Sequence, residues 1–159
     1  MTSVQQLAKH FRDVYSGANW TSVNLKDVLT DVNWQQATTK VHDLNTIATL
    51  VFHLNYYVGL TIKVLEGGPL IGSDKLSFDV PPITSEGDWQ QLVSRVFSEA
   101  ETCALKLEHL EDEKLFSPFA DGKYGIYYRN LLGLIEHTYY HLGQISLIKK
   151  IVAAHPKTP

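Results

Sequence analysis

Cysteine is almost absent from this 159-residue chain, which contains only Cys103. A single thiol excludes an internal disulfide and any zinc site built from several thiolates. Basic charge is not in excess either, because 14 Lys and Arg residues stand against 17 Asp and Glu residues. The net charge of -3 provides no basic surface of the kind that nucleic-acid-binding proteins use. We therefore expect no nucleic-acid partner.

Long apolar runs are missing as well. The hydrophobic stretches are short and interrupted by polar residues, which argues against a membrane-spanning segment. The residues after Met1 have neither a basic start nor an apolar core, so no export signal is indicated and we expect a cytoplasmic protein. The composition, 44% hydrophobic and 19% charged, is typical of a globular protein. The length predicts one domain over residues 1–159.

The chain does contain a helical pattern, in which apolar residues recur at three- and four-residue spacing. The first predicted helix covers residues 4–16, with Ser3 as its cap and Gly17 as its end. The second covers residues 45–66 and is stopped by the run Gly67-Gly68-Pro69. Two short helical turns are predicted between these helices, after Asn24 and Asn33.

The third predicted helix begins at Ser85, which together with Asp88 resembles a capping box, and its apolar face extends to Leu110. The fourth covers residues 126–152, and Pro156 ends it. No segment has the alternation that would indicate a convincing strand. We therefore expect an all-α fold, a bundle of four long helices.

Nearly twenty residues without clear periodicity separate the second and third helices. Connections of this length are uncommon in compact domains and are usually crossovers or functional loops. An extended segment of that length can run from one end of a bundle to the other. Helices two and three could therefore lie parallel, which a short hairpin would forbid.

Three histidines fall on helix faces that should point inward. His137 and His141 lie one turn apart on helix four, so their side chains project about 40° apart around the axis and about 6 Å apart along it. His53 lies within the apolar stripe of helix two. Paired histidines at this spacing often bind zinc, and a third imidazole could complete such a site. Spacing alone leaves a second interpretation open, in which each is a buried side chain with its own hydrogen bond.

Several other kinds of site are set aside. A zincin has glutamate directly after its first histidine, where this chain has Thr138, and the Glu-x-x-His pairs of di-iron bundles are absent. Cys103 lies on the apolar face of helix three, which favours a packed thiol over a nucleophile. The remaining histidines fall on polar stretches or near helix ends, and we predict that they are at the surface: His10, His42, His109 and His155.

Gln144 follows His141 by three residues on the predicted fourth helix. It could orient a ligand or a water beside the metal, although the same position suits a hydrogen bond between packed helices. Glu136 should face away from the histidine pair. The residues therefore indicate a Lewis acid without indicating the acid or base that would work with it.

Taken together, the histidine deep in helix two, the long crossover and the His-x-x-x-His-x-x-Gln pattern from His137 to Gln144 resemble the DinB-like (damage-inducible, YfiT-like) family. The likeness covers nearly the whole chain, including the Trp20 region and residues 46–53 and 133–144, and the histidine triad is its specific part. It implies a four-helix bundle in up-down-down-up order, often a homodimer. It also implies a divalent metal, zinc or nickel, bound by His53, His137 and His141.

The site and the resemblance leave three hypotheses about function, and the resemblance argues against the third. Some members of that family are transferases or isomerases that use low-molecular-weight thiols such as bacillithiol, mycothiol or glutathione, and many have no assigned activity. The first hypothesis is a metal-dependent thiol S-transferase, or a hydrolase, acting on an electrophilic small molecule. The second is a non-catalytic metal-binding module in stress responses or protein interactions. The third is a helical interaction domain whose histidines are merely buried.

Overall fold

Helices form nearly all the regular structure of the protein, for which a computed structural model describes residues 1–154. Within these residues there is no strand, only an isolated bridge between Pro118 and Ile126. The all-α prediction is therefore confirmed, whereas the predictions for His155 and Pro156 lie outside the described residues. The α-helices are α1 (Ser3–Tyr15), α2 (Leu25–Leu29), α3 (Trp34–Thr38), α4 (Ile47–Leu65), α5 (Asp74–Ser77), α6 (Glu86–Glu108) and α7 (Tyr127–Ala154), and a 3-10 turn covers Asp112–Phe116.

The start of α1 differs by one residue from the prediction, because Thr2 rather than Ser3 is its cap. The Thr2 hydroxyl accepts a hydrogen bond from the Gln5 backbone N–H, and the Gln5 side chain accepts one from the Thr2 N–H. This reciprocal pair is a capping box. Ser3 is the first helical residue, and its N–H and that of Val4 both donate to the Asp112 carboxylate, each at 2.9 Å.

The other predicted helix boundaries have clear local causes. Asn24 and Asn33 cap α2 and α3 as expected, and Ser85 caps α6 by accepting from the Asp88 N–H. The Asp88 carboxylate does not make the reciprocal hydrogen bond to the Ser85 N–H, so only half of the predicted capping box forms. It accepts instead from the backbone N–H and the hydroxyl of Thr84.

A Schellman motif ends α4. Gly67 has a positive φ of 83°, its N–H donates to the Val64 carbonyl, and the Gly68 N–H donates to the Lys63 carbonyl. A side chain on Gly67 would be strained in this conformation. The predicted stop at the glycine pair is confirmed, and the chain leaves α4 here to begin the crossover.

The four longest helices pack around one core: α4 contacts α6 and α7, and α1 contacts the same two helices. The apolar faces predicted for these helices are the faces that become buried. Short elements close one end of the core, where the buried Trp89 indole donates to the Val32 carbonyl. There the Lys149 ammonium also bonds the Val28 carbonyl and pairs with Asp31.

Helix α4 is more apolar than the sequence led us to expect. Among residues 1–154 it is the one helix long and apolar enough to cross a membrane by length and composition alone, with a mean hydropathy of 1.3. Its position explains this composition, because α3, α5, α6 and α7 all contact it and 56% of the apolar window is buried inside the protein. A helix buried on several sides is apolar on several sides. This agrees with a soluble protein.

Candidate metal centre

Packing between α4 and α7 brings the three inward-facing histidines together. His53 lies near the middle of α4, and His137 and His141 occupy successive turns of α7. His53 and His141 are buried, at 3% and 7% exposure, and His137 is half-buried. One ring nitrogen from each lies within 4.8 Å of the other two. These residues can therefore hold one metal ion.

The nitrogens that meet are all Nε2 atoms, and His137 is the central one. Its Nε2 lies 3.0 Å from Nε2 of His53 and 3.1 Å from Nε2 of His141. The His137 and His141 rings are nearly perpendicular, with centroids 4.5 Å apart. The three rings thus bring their Nε2 nitrogens within 4.8 Å of one another.

The Nδ1 atoms of the two buried histidines have partners that fix their protons. Nδ1 of His53 lies 2.8 Å from the Ser77 hydroxyl, and that hydroxyl donates its single proton to the Asp74 carbonyl at 2.6 Å. Ser77 must therefore accept from His53, whose Nδ1 carries the hydrogen. Nδ1 of His141 lies 2.7 Å from the Gln144 side-chain carbonyl oxygen, which also can only accept. Both neutral rings consequently present a bare lone pair at Nε2.

These proton positions leave too few donors where the histidines meet. If His137 carries its hydrogen on Nε2, it can donate to one neighbour, and the other contact remains between two lone pairs. If it carries the hydrogen on Nδ1, both contacts at about 3 Å are between lone pairs. A cation resolves both contacts at once, and three imidazole nitrogens are a donor set that suits a divalent transition metal. The chemistry of the donor set thus fits a bound metal.

The surroundings keep the imidazoles neutral, as metal ligands must be. Burial, helped by the neighbouring His141, lowers the pKa of His53 to about 4. Burial and the two other histidines lower the pKa of His137 to about 4, and burial lowers the pKa of His141 as well. Asp74 acts in the opposite direction on His53 and His137, raising the pKa of both.

Aromatic rings enclose the three histidines. Phe78 stacks on His53 with ring centroids 4.0 Å apart. Tyr57 packs edge-on against both His53 and His137, and its hydroxyl donates to the Asp74 carboxylate at 2.8 Å. Tyr140 packs edge-on against His141. These contacts shield the rings from water, and the lower local dielectric strengthens electrostatic interactions at the nitrogens.

The structure also places the other residues that the sequence singled out. Gln144 bonds His141 directly, and Glu136 is exposed, as expected. Thr138 is buried, with its hydroxyl bonded to the Leu134 carbonyl. Cys103 is a packed thiol at 0% exposure, and burial raises its pKa to about 12. The three predicted surface histidines that the structure describes are exposed: His10, His42 and His109.

Sequence reasoning missed the contribution of the crossover. Ser77, Asp74 and Phe78 all come from the stretch between α4 and α6 that carries no periodicity. The only signal was the length of the connection, which marked it as a crossover or functional loop without identifying a residue. Within it, the four-residue helix α5 brings the Ser77 hydroxyl to His53, 24 positions away in the chain.

Comparison with known proteins adds no relative to this description. No protein-family model matches the sequence, and no curated protein or solved structure matches it significantly. The function must therefore be inferred from the geometry of the site.

Proposed function

We propose that the protein binds one divalent metal ion, zinc or nickel, through Nε2 of His53, His137 and His141. The observation that carries this proposal is the deficit of protons among the three nitrogens. Ser77 and Gln144 hold the hydrogens of two rings on Nδ1, so three Nε2 atoms meet with at most one hydrogen among them. Histidines that were merely buried would each have a donor or acceptor of the right kind.

The proposed activity is thiol S-transfer to an electrophilic small molecule, as the resemblance to DinB-like proteins implies. Three protein ligands leave at least one coordination position open, which is typical of catalytic rather than structural sites. A bound metal there would lower the pKa of a coordinated thiol or water by several units and so supply a nucleophile at neutral pH. The half-buried His137 marks the side from which a thiol such as bacillithiol or glutathione would approach.

The protein's own residues would then orient the reactants and exclude water. His53 is fixed by Ser77 on one side and by the Phe78 ring on the other. The Asp74 carboxylate, held by Tyr57, is a charged group near the histidines that could orient a cosubstrate. Hydrolysis by a coordinated water is the related activity that the same arrangement would support.

The second candidate is a non-catalytic metal-binding module, and one observation favours it. Two grooves on the surface of the described residues lack His53, His137 and His141 among their lining residues. One groove is lined by α1, α2 and α6, and the other is lined by α4 and α6. A metal that binds only the folded state stabilises the protein whether or not a substrate reaches it.

We also propose the up-down-down-up order for the four long helices. Two pairs support a parallel arrangement of α4 and α6: Asn55 bonds Glu99, and Glu66 pairs with Lys106 further along both helices. The opposite trend supports an antiparallel arrangement of α1 and α6. Ser3 bonds Asp112 just beyond α6, whereas Arg12 bonds Glu101 within it.

A homodimer is the proposed assembly, and α7 offers a surface for it. Tyr140 and Leu147 are 65% and 58% exposed, and a Cβ on Gly143 between them would have open space around it. Glu136 and Lys150, both exposed, lie seven residues to either side of Gly143. Antiparallel pairing of two α7 helices at Gly143 would bring these opposite charges together. Light scattering at several concentrations tests this assembly.

Metal content measured by mass spectrometry on untagged protein tests the proposed function, with His141→Ala alongside. Near-stoichiometric zinc or nickel in the wild type and its loss in the variant are the expected result. A screen of low-molecular-weight thiols against electrophiles would then separate the transferase from the non-catalytic module. No metal in the wild type, even after reconstitution, would overturn both the transferase and the non-catalytic metal-binding module. The helical interaction domain would then be the remaining hypothesis.

A further inference from the structure

The short helix α5 and the residue before it make three hydrogen bonds with the α4 helix, two of them with residues of the metal centre or its aromatic enclosure. Ser77 bonds His53, and Asp74 accepts from Tyr57, which packs on His53 and His137. The third contact joins the Ser73 N–H to the Tyr56 hydroxyl just before α5 begins. The hydrogen bonds of α5 to the bundle therefore lie largely at the proposed metal site, whereas Leu70, Val80 and Ile83 of the crossover pack against the apolar core.

Helix α5 has little stability of its own. It contains four residues, and its N-cap Ser73 makes no side-chain capping bond. Isolated helices of this length do not persist in water, because the first turn fixes several dihedrals for one hydrogen bond. Tertiary contacts must hold it, and Ser77 at 0% exposure is its one buried residue.

We propose that Ser77 is a positioning residue for the metal centre, and that through it metal binding and the ordering of the crossover stabilise each other. The inference rests on the proposed metal binding. Ser77 holds the hydrogen of His53 on Nδ1, because its own proton is committed to the Asp74 carbonyl. A metal on Nε2 needs that tautomer, and polarisation of the ring by the metal strengthens the Nδ1–H bond to Ser77. Coupling between two sites is reciprocal, so each event favours the other.

The partner of His141 shows why Ser77 is special. Gln144 lies on α7, three residues from the histidine that it bonds, so this pair is fixed by one helix. Ser77 lies on a separate element and reaches His53 across 24 positions of sequence. The effect of metal binding can therefore reach the crossover through His53, whereas its effect on the bond between His141 and Gln144 is confined to α7.

The first test compares Ser77→Ala with a matched control, Thr61→Val. Thr61 is also buried and also donates its hydroxyl to a backbone carbonyl, that of Tyr57, but it contacts no histidine of the site. Zinc affinity measured by chelator competition should fall about 10- to 100-fold in Ser77→Ala, the usual effect of removing the partner of a ligating histidine. In Thr61→Val it should stay within about twofold of the wild type, because the ligands keep their partners.

A spectroscopic measurement separates positioning from a general structural role. Nitrogen NMR of the metal-free protein reports which ring nitrogen of His53 is protonated. We expect the Nδ1–H form alone in the wild type and in Thr61→Val, and a mixture of tautomers in Ser77→Ala. A variant with unchanged zinc affinity and an unchanged tautomer would overturn the positioning role of Ser77.

The second test needs no variant, because the crossover contains its own probe. Lys75, exposed on α5, is the only Lys or Arg between Lys63 and Arg95 and is thus the crossover's single trypsin site. Saturating zinc should slow cleavage after Lys75 by about tenfold or more in the wild type and much less in Ser77→Ala, because cleavage requires local opening. Equal cleavage rates with and without zinc would overturn the coupling.

The two proposals fail in distinguishable ways. Wild-type protein that binds neither zinc nor nickel removes the proposed function and this inference with it. Wild-type protein that binds zinc, with Ser77→Ala binding it equally well, removes the inference and leaves the metal site intact. Circular dichroism of Ser77→Ala, matched to the wild type before each measurement, excludes misfolding as the cause of a lost affinity.

Discussion

Two polar clusters lie two residues apart on α4 and face different neighbours. His53 meets two histidines of α7, and Asn55 meets Glu99 of α6. In the second cluster each contact pairs a donor with an acceptor: the Asn55 amide donates to Glu99 at 2.7 Å, and Arg95 donates to the same carboxylate. In the first cluster acceptors meet acceptors. The difference is one of proton count rather than polarity or burial.

This contrast shows how a metal site can be distinguished from an ordinary buried polar cluster. Asn55 and His53 are about equally buried, at 4% and 3% exposure, so burial does not separate them. The contact between Asn55 and Glu99 pairs a donor with an acceptor and therefore needs no further group. The amide oxygen Oδ1 of Asn55 has no partner among residues 1–154, but it takes no part in this contact. The histidine cluster is complete only when a cation is added.

Metal removal should produce the largest change in stability, and it should act on the histidine cluster alone. Zinc at about a thousandfold excess over its dissociation constant stabilises a folded protein by about 4 kcal/mol. For a chain of this size that corresponds to a rise in melting temperature of roughly 10 °C. Calorimetry with zinc and with chelator should show this shift in the wild type and in Asn55→Ala. His137→Ala should not show it, and an equal shift in that variant would place the metal elsewhere.

Acidification of the metal-free protein should also act through the histidine cluster. His53 and His137 have a pKa of about 4 in the folded protein against an ordinary value of 6.5. Between these values the unfolded chain binds more protons, so stability is fully present above pH 6.5 and is lost as the pH falls towards 4. Urea unfolding at about pH 7, 6 and 5 measures this slope. It should persist in Asn55→Ala and weaken in His137→Ala, and equal slopes in the two variants would contradict the assignment.

Substitutions of Asn55 test the cluster that Asn55 forms with Glu99 and Arg95. Asn55→Ala removes a hydrogen bond to a charged group, which typically contributes about 1.5–3 kcal/mol to stability. Asn55→Asp should cost more, because it places a second carboxylate within hydrogen-bonding distance of Glu99. Chemical denaturation gives both values. Neither variant should change zinc affinity, and a loss of zinc binding would mean that the two clusters are coupled through α4.

Arg95→Ala should have the smallest effect on the free energy of unfolding. Arg95 and Glu99 form an i,i+4 ion pair in which the arginine side chain is 63% exposed. Such pairs contribute about 0.3–0.5 kcal/mol and are weakened by salt. Denaturation at low and high salt should show a small loss that disappears at high salt. A loss comparable to that of Asn55→Ala would indicate that Arg95 orders the whole cluster.

The contrast between these clusters also explains how much could be predicted from the sequence. The long helices were predictable because each has an apolar face that is repeated over several turns, and Asn24, Asn33 and Ser85 cap helices through short-range bonds. The inward direction of the three histidines followed from the same logic, and none of this required knowledge of which helices are neighbours. Their convergence on one metal was implied by the resemblance to DinB-like proteins, because spacing alone left separately hydrogen-bonded histidines open.

The features that escaped prediction depend on contacts between distant segments. Helix α5 has no periodic pattern, and the role of its Ser77 depends on the crossover lying against His53. The cap of α1 was misplaced by one residue because Thr2 and Ser3 are both good capping residues, and the Asp112 carboxylate binds the N–H of Ser3. The membrane-like hydropathy of α4 likewise reflects four neighbouring elements that the sequence of α4 does not specify.

The bond between Asp112 and the start of α1 also has a consequence for the order of folding. It joins positions 108 and 109 residues apart, with the carboxylate accepting the free N–H groups of Ser3 and Val4. Closing so long a loop is slow compared with forming a helix. During synthesis, α1 would therefore emerge first but receive this partner only after about two thirds of the chain has left the ribosome. The first helix to be synthesised would therefore be among the last to form its hydrogen bonds with a distant segment.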